Sequence, residues 1–150
     1  MQRDFFYPEK FTSRKYLGFI DTDTVFVTML TRNLFFENEK PIVIGGYGSE
    51  SNLFWSRLSE VTFNIFHSKE VIKCMAYFPV IIQVEHIIQL RHYLETLHQK
   101  PFHQIFKEHS KEGFSQFSIM CNYIWKFHRN DYTFYFHRIT THRKWEGYAP

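Results

Sequence analysis

The feature that most constrains the fold is an amphipathic stretch in the middle of the chain. Four apolar side chains there recur at the spacing of one helix face, namely Ile87, Leu90, Leu94 and Leu97. Pro101 follows shortly afterwards, and proline is a signal that ends a helical pattern. The pattern therefore predicts a helix over Val84–His98 that packs one side onto a core.

Short apolar runs of strand type lie on both sides of this helix. They cover residues 16–20, 41–44, 77–82 and 132–136, and we expect residues 16–20 to be the central strand of the sheet. Apolar spacing also predicts helices over residues 52–66 and from Ser115 onward, and the glycines of residues 45–48 predict a turn or a close backbone approach. Strands that alternate with helices predict an α/β fold, and no repeat or linker divides residues 1–150. We therefore expect a single domain.

Composition narrows the classes of function. The chain has 18 Phe, 9 Tyr and 3 Trp, which favours aromatic packing in a core over a sugar-binding surface. A net charge of +3 without a dense run of Lys or Arg is too weak for a nucleic-acid partner. Two widely separated cysteines indicate buried thiols in a reducing compartment. With no signal peptide and no apolar run of membrane-spanning length, we expect a cytoplasmic chain without a membrane span.

The motif that carries chemistry is Asp21-Thr22-Asp23, which comes directly after the apolar run of residues 16–20. In an extended segment the two carboxylates would face the same side, and a strand end opens into the crevice where α/β sheets bind ligands. Two such close carboxylates repel each other, which favours a bound divalent cation. Mn²⁺ or Mg²⁺ takes oxygen ligands, often carboxylates together with substrate phosphates. The alternative is a solvated turn, in which Asp and Thr are common.

Residues 16–26, which read YLGFIDTDTVF, resemble the DxD segment of GT-A-type glycosyltransferases. The later runs KPIVIG, FPVII and FSQFSIMCNY follow in the order seen in a little-characterised group of glycosyltransferase-like proteins. The resemblance implies a GT-A-like, Rossmann-related nucleotide-diphospho-sugar transferase fold. It also implies that Asp21 and Asp23 hold Mn²⁺ or Mg²⁺ on the diphosphate of a nucleotide sugar, most simply a UDP-sugar. The sugar would pass to an acceptor that the sequence does not name.

The same resemblance suggests further site residues. GT-A enzymes often add a late histidine to the metal, and among His128, His137 and His142 we select His137, which follows an aromatic run. An inverting enzyme needs a carboxylate base near a helix start, where Glu112 lies. Twenty residues precede Asp21, whereas the nucleoside-binding part of a GT-A domain comes before its DxD motif. The resemblance therefore implies an N-terminally truncated domain.

Two other functions fit the motif. The first is a non-catalytic pseudoenzyme or binding module derived from the same fold, for which the carboxylates would be dispensable. The second is a haloacid-dehalogenase-like phosphatase, in which Asp21 would be the nucleophile and Asp23 the acid and base. That fold needs a later acidic pair for Mg²⁺, and the sequence has no two adjacent acidic residues. The phosphatase is accordingly the weaker alternative.

Overall fold

The regular structure includes four α-helices and five β-strands in the computed structural model, which describes residues 2–48, 53–68, 72–74 and 78–139. Within these ranges, residues 2, 47–48, 53–57 and 137–139 are described by their backbone alone. The strands are β1 (Tyr16–Phe19), β2 (Phe36–Glu37), β3 (Lys40–Gly48), β4 (Val80–Gln83) and β5 (Thr133–Ile139). The helices are α1 (Leu53–Phe66), α2 (Val84–His98), α3 (Phe102–His109) and α4 (Gln116–Phe127). The described part is thus a mixed α/β structure, and its GT-A arrangement stays a prediction.

β1 and β4 form a two-stranded antiparallel sheet. Tyr16 lies opposite Gln83 at one end of this pair, and Phe19 lies opposite Val80 at the other. The prediction of a central strand over residues 16–20 is wrong for the described part of the chain, where β1 pairs with β4 alone. A short apolar run cannot distinguish a strand inside a wide sheet from a strand whose faces are covered by helices.

β3 lies between β2 and β5 in a second, three-stranded sheet. β3 is antiparallel to β2 and parallel to β5, with Ile42 opposite Thr133. Of the two predictions for residues 45–48, the turn is excluded because β3 continues through these glycines, and the close backbone approach is confirmed at Gly45. Gly45 is buried, and a Cβ there would come within 3.0 Å of the Lys73 carbonyl oxygen. The glycine therefore allows a close backbone approach within a strand.

α2 is the helix that the apolar spacing predicted, with the same bounds. Its buried side chains include Ile87, Leu90 and Leu94, and Gln99 ends it in a left-handed conformation (φ 50°). Arg91 is also buried, and its guanidinium donates to the Phe6 carbonyl oxygen at 2.7 Å. α2 is consequently enclosed on more than one side.

α4 is the most deeply buried helix of the described part. Its N-cap is Ser115, whose hydroxyl accepts a hydrogen bond from the Ser118 backbone N–H at 3.3 Å. All nine of its residues from Gln116 to Ile124 are buried. α3, which the sequence did not predict, begins directly after Pro101 and buries Phe102 and Ile105. None of the helices in the described ranges combines the length and apolar character needed to cross a bilayer.

Aromatic side chains form much of the core of the described residues. Phe6 is fully buried and packs against Phe102 and Phe114, with ring centroids 4.8 and 5.8 Å apart. Phe117 packs against both Phe19 of β1 and Phe78 next to β4. The aromatic content thus serves packing in this part of the chain, since rings join α3 to the N-terminal segment and α4 to β1.

Candidate functional site

Asp21-Thr22-Asp23 lies on a hydrogen-bonded turn that starts two residues after β1. The Thr24 backbone N–H donates to the Asp21 carbonyl oxygen at 3.1 Å, and the Asp21 N–H donates to the Thr24 hydroxyl at 3.2 Å. The segment is therefore closed rather than extended, and the expected strand-like alternation of the two carboxylates does not apply. A turn still presents both side chains to solvent, and both aspartates are exposed.

The two carboxylates keep most of their ligand capacity. Asp21 Oδ1 accepts the Thr22 backbone N–H at 2.9 Å, which orients this side chain along the turn. No Lys or Arg among the described residues forms an ion pair with Asp21 or Asp23. A carboxylate buried against a cation would have counted against a metal site here. The turn instead offers exposed oxygen ligands of the kind that hard divalent cations prefer.

An exposed apolar segment continues from the turn. Residues 25–30 form a second apolar stretch after the motif, and they have no regular secondary structure. Val25 is 79% exposed, Val27 94% and Met29 82%. Ile20, on the other side of the turn, is 50% exposed. Neighbouring exposed apolar side chains of this kind mark interaction surfaces more often than solvated loops.

A small apolar cavity lies at the same end of the β1–β4 sheet. Its volume is about 150 Å³, and its walls include Leu34 and Phe35, part of β3 around Val43, and Val80. Val80 is the partner of Phe19, two residues before Asp21. The cavity is therefore lined by β4 at the end of the strand pair where β1 leads into the acidic turn.

The other two predicted site residues lie elsewhere in the chain. Glu112 is exposed, three residues before the Ser115 cap of α4, and its carboxylate lies 3.1 Å from His109 Nδ1. His137 belongs to β5, where its backbone pairs with Gly46 of β3. The side chain of His137 lies outside the described part, as does all of His142. Glu112 is thus placed beside His109, just before α4, and His137 is placed on β5 by its backbone alone.

A second cluster of potential ligands joins α2, α4 and the loop before β5. His86 Nε2 and His128 Nδ1 lie 3.6 and 3.7 Å from Asp131 Oδ2. The two imidazole rings stack with centroids 3.8 Å apart and planes 15° apart. His86 Nδ1 lies 2.8 Å from the Tyr132 hydroxyl, which also accepts the Gln83 backbone N–H at 3.1 Å. Both rings are thus placed by contacts between distant parts of the sequence.

Burial keeps both histidines of this cluster neutral near pH 7. The pKa of His86 falls from 6.5 to about 4, chiefly because burial penalises the charged form and also because His128 lies beside it. Asp131 and Glu85 oppose this shift, and Lys15 adds slightly to it. Burial also lowers the pKa of His128, against the opposing effect of Asp131. The imidazole nitrogens are therefore available as ligands without loss of a proton.

Only part of this cluster has a signal in the sequence. His128 was among the late histidines considered for a metal, and it stands three residues before Asp131. His86 lies 42 residues earlier and has no spacing that connects it to them. The cluster is also separate from the acidic turn, because Gln83 beside it pairs with Tyr16, at the opposite end of β1 from Asp21. Four strand residues span roughly 10 Å at about 3.3 Å per residue.

Comparison of the chain with protein-family models, with curated proteins and with solved structures found no match. The functional assignment accordingly depends on the residues and contacts described above. Of the two clusters, the acidic turn combines exposed oxygen ligands with a position just after a strand end.

Proposed function

We propose that this chain is the metal- and diphosphate-binding part of a nucleotide-sugar-dependent glycosyltransferase. The observation that carries the proposal is the exposed turn of Asp21-Thr22-Asp23, with two carboxylates that have no cationic partner among the described residues. The donor would be a nucleotide-diphosphate sugar, most simply a UDP-sugar, and the acceptor a second sugar-bearing or hydroxyl-bearing molecule.

The donor chemistry of the turn fits Mn²⁺ or Mg²⁺. Asp21 and Asp23 supply carboxylate oxygens, whereas an octahedral ion needs six ligands. Phosphate oxygens of the nucleotide and water would complete the shell, so cation and diphosphate should increase each other's affinity. The bound cation would neutralise charge on the departing diphosphate. The turn's contribution is to hold that cation at a strand end that solvent and substrate can reach.

Glu112 is the proposed acceptor-side base for an inverting reaction. Its carboxylate is exposed and is oriented by His109, whose Nδ1 lies 3.1 Å away. A carboxylate in that position can accept the proton of an acceptor hydroxyl. Glu112→Gln should therefore reduce sugar transfer without changing metal or UDP affinity. A retaining reaction would leave transfer by this variant unchanged.

Calorimetry of UDP binding with and without Mn²⁺ tests the proposal. We expect Mn²⁺ to strengthen UDP binding by about 5–150-fold, the range of a typical coupling between two sites. Asp21→Asn and Asp23→Asn should each abolish this effect. Asp131→Asn is the matched control, because it removes a partly exposed carboxylate from the other cluster and should leave the coupling intact.

A non-catalytic binding module is the second candidate function. The specific observation in its favour is the exposed apolar segment around Val25, Val27 and Met29, since apolar surface of this kind commonly mediates interactions. UDP binding that is equal with and without Mn²⁺, and equal in the Asp23→Asn variant, would reject the glycosyltransferase proposal and favour this module.

A further inference from the structure

We propose that His86, His128 and Asp131 form a second metal site, which binds Zn²⁺ or Co²⁺ and is independent of the acidic turn. One ligand atom from each side chain lies within 4.8 Å of the other two. The two measured nitrogen–oxygen separations are 3.6 and 3.7 Å. Ligands on a four-coordinate zinc ion, with bonds of about 2.0–2.2 Å, lie roughly 3.3–3.6 Å apart. The three side chains are therefore close to ligand spacing already.

Tyr132 determines which nitrogen of His86 faces the proposed ion. Its hydroxyl lies 2.8 Å from His86 Nδ1 and accepts a hydrogen bond from the Gln83 N–H. A hydrogen bond from Nδ1–H to this oxygen leaves the lone pair on Nε2, which is the nitrogen facing Asp131. Histidines that bind metals usually donate their other ring N–H to such a partner. Tyr132 is thus a positioning residue for this site.

His128 provides the observation that points to an absent ligand. Its Nε2 is buried and has no hydrogen-bond partner among the described residues. Its Nδ1 lies 3.7 Å from Asp131, longer than a hydrogen bond. A buried ring nitrogen without a partner is costly, and such groups commonly mark a missing water or ion. Neither ring nitrogen of His128 is thus satisfied by a close hydrogen bond among the described residues.

The stacked rings define the movement that binding requires. With planes only 15° apart, the in-plane lone pairs of His86 and His128 run side by side and do not converge. Rotation of His128 about its Cβ–Cγ bond would direct its lone pair to the ion, and no hydrogen bond at Nε2 opposes that rotation. Tyr132 holds His86 in place. Metal binding should therefore replace ring stacking by shared coordination.

The ligand set distinguishes this ion from the one proposed at the turn. Two imidazole nitrogens and one carboxylate suit Zn²⁺ or Co²⁺, whereas a purely carboxylate site suits Mg²⁺ or Mn²⁺. Water would fill the fourth position, since Asp131 is half exposed. The ion would connect the start of α2, the end of α4 and the loop before β5, so its expected role includes stabilising the fold.

The test is calorimetry and thermal unfolding of the chelator-treated full chain, titrated with Zn²⁺ or with Co²⁺, whose visible absorption reports coordination geometry. We expect one Zn²⁺ per chain and a rise in the midpoint of thermal unfolding. His128→Phe, which keeps a stacking ring, and Asp131→Asn should each reduce affinity at least tenfold. Tyr132→Phe should reduce it by about 10–100-fold, as for other partners of ligating histidines.

His103→Ala is the matched control, because His103 is exposed on α3 and lies outside the cluster. This variant should bind Zn²⁺ like the unmodified chain. Equal Zn²⁺ affinity of the unmodified chain and His128→Phe would overturn the proposal, as would a loss in His103→Ala as large as that in Asp131→Asn. Asp23→Asn should retain the Zn²⁺ site, so failure of the glycosyltransferase proposal and failure of this one give different results.

Discussion

Asn122 connects helix α4 to the segment that packs against β3, and its replacement should be among the most destabilising single changes. Its side chain pairs with the backbone of Ile72 in both directions, with Ile72 N–H to Oδ1 at 2.8 Å and Nδ2 to the Ile72 carbonyl at 3.0 Å. Nδ2 also donates to the Ser118 carbonyl at 2.8 Å. Asn122 and Ile72 are only 4% and 2% exposed. Water therefore cannot replace these hydrogen bonds without opening the core.

Asn122→Ala leaves one buried N–H and one buried carbonyl of Ile72 without partners. At about 1–3 kcal/mol for each unsatisfied group, we expect the free energy of unfolding to fall by roughly 2–6 kcal/mol. Urea denaturation followed by circular dichroism measures this change as a shift in midpoint. Asn64→Ala on the exposed face of α1 is the control and should change stability by no more than about 0.5 kcal/mol. A loss below about 1 kcal/mol for Asn122→Ala would refute the reasoning.

Two further predictions concern a glycine and a histidine. Gly45→Ala should lower the free energy of unfolding by about 1–3 kcal/mol, because its Cβ would meet the Lys73 carbonyl oxygen at 3.0 Å. In Gly18→Ala the new Cβ meets only the end of the flexible Ile81 side chain, so the free energy of unfolding should fall by less. Equal decreases for the two variants in urea denaturation would contradict this prediction. The pKa of His86 is lowered from 6.5 to about 4 in the folded chain, so on acidification the unfolded chain binds the proton first. With chelator present, the free energy of unfolding should therefore fall by about 2 kcal/mol between pH 7 and pH 4.5. The stability that neutral His86 provides is fully present above pH 6.5 and is lost as the pH falls toward 4. His86→Gln should remove it from the pH dependence of urea stability, whereas exposed His103→Gln should not.

The elements with a local cause were predictable from the sequence. α2 was predicted with its observed bounds because its apolar spacing and Pro101 both act within a few residues. α4 begins after Ser115 because serine caps the helix with its own hydroxyl. α3 was missed because Pro101 was interpreted only as the end of one helix. Proline is equally suited to the start of the next one, since its missing N–H is not needed there.

The errors came from features that depend on distant contacts. β3 continues through Gly45 because it pairs with β5, about 90 residues later. Residues 25–30 are apolar but exposed, since composition alone does not supply a neighbouring surface to cover them. Asp21 and Asp23 were expected on an extended strand end, whereas they lie on an exposed hydrogen-bonded turn, which was the stated alternative. The histidine cluster could not be predicted because His86 and His128 are brought together only by the packing of α2 and α4.

The most direct test of the central claim is to locate Mn²⁺ on the chain in solution. Mn²⁺ is paramagnetic and weakens the nuclear magnetic resonance signals of nearby groups, so a small amount added with UDP reports where the ion is bound. The account predicts selective loss of the backbone amide signals of residues 20–26, and no such loss in the Asp21→Asn and Asp23→Asn variants. Signal loss confined to the surroundings of His86 and His128, or spread evenly over the surface, would contradict it.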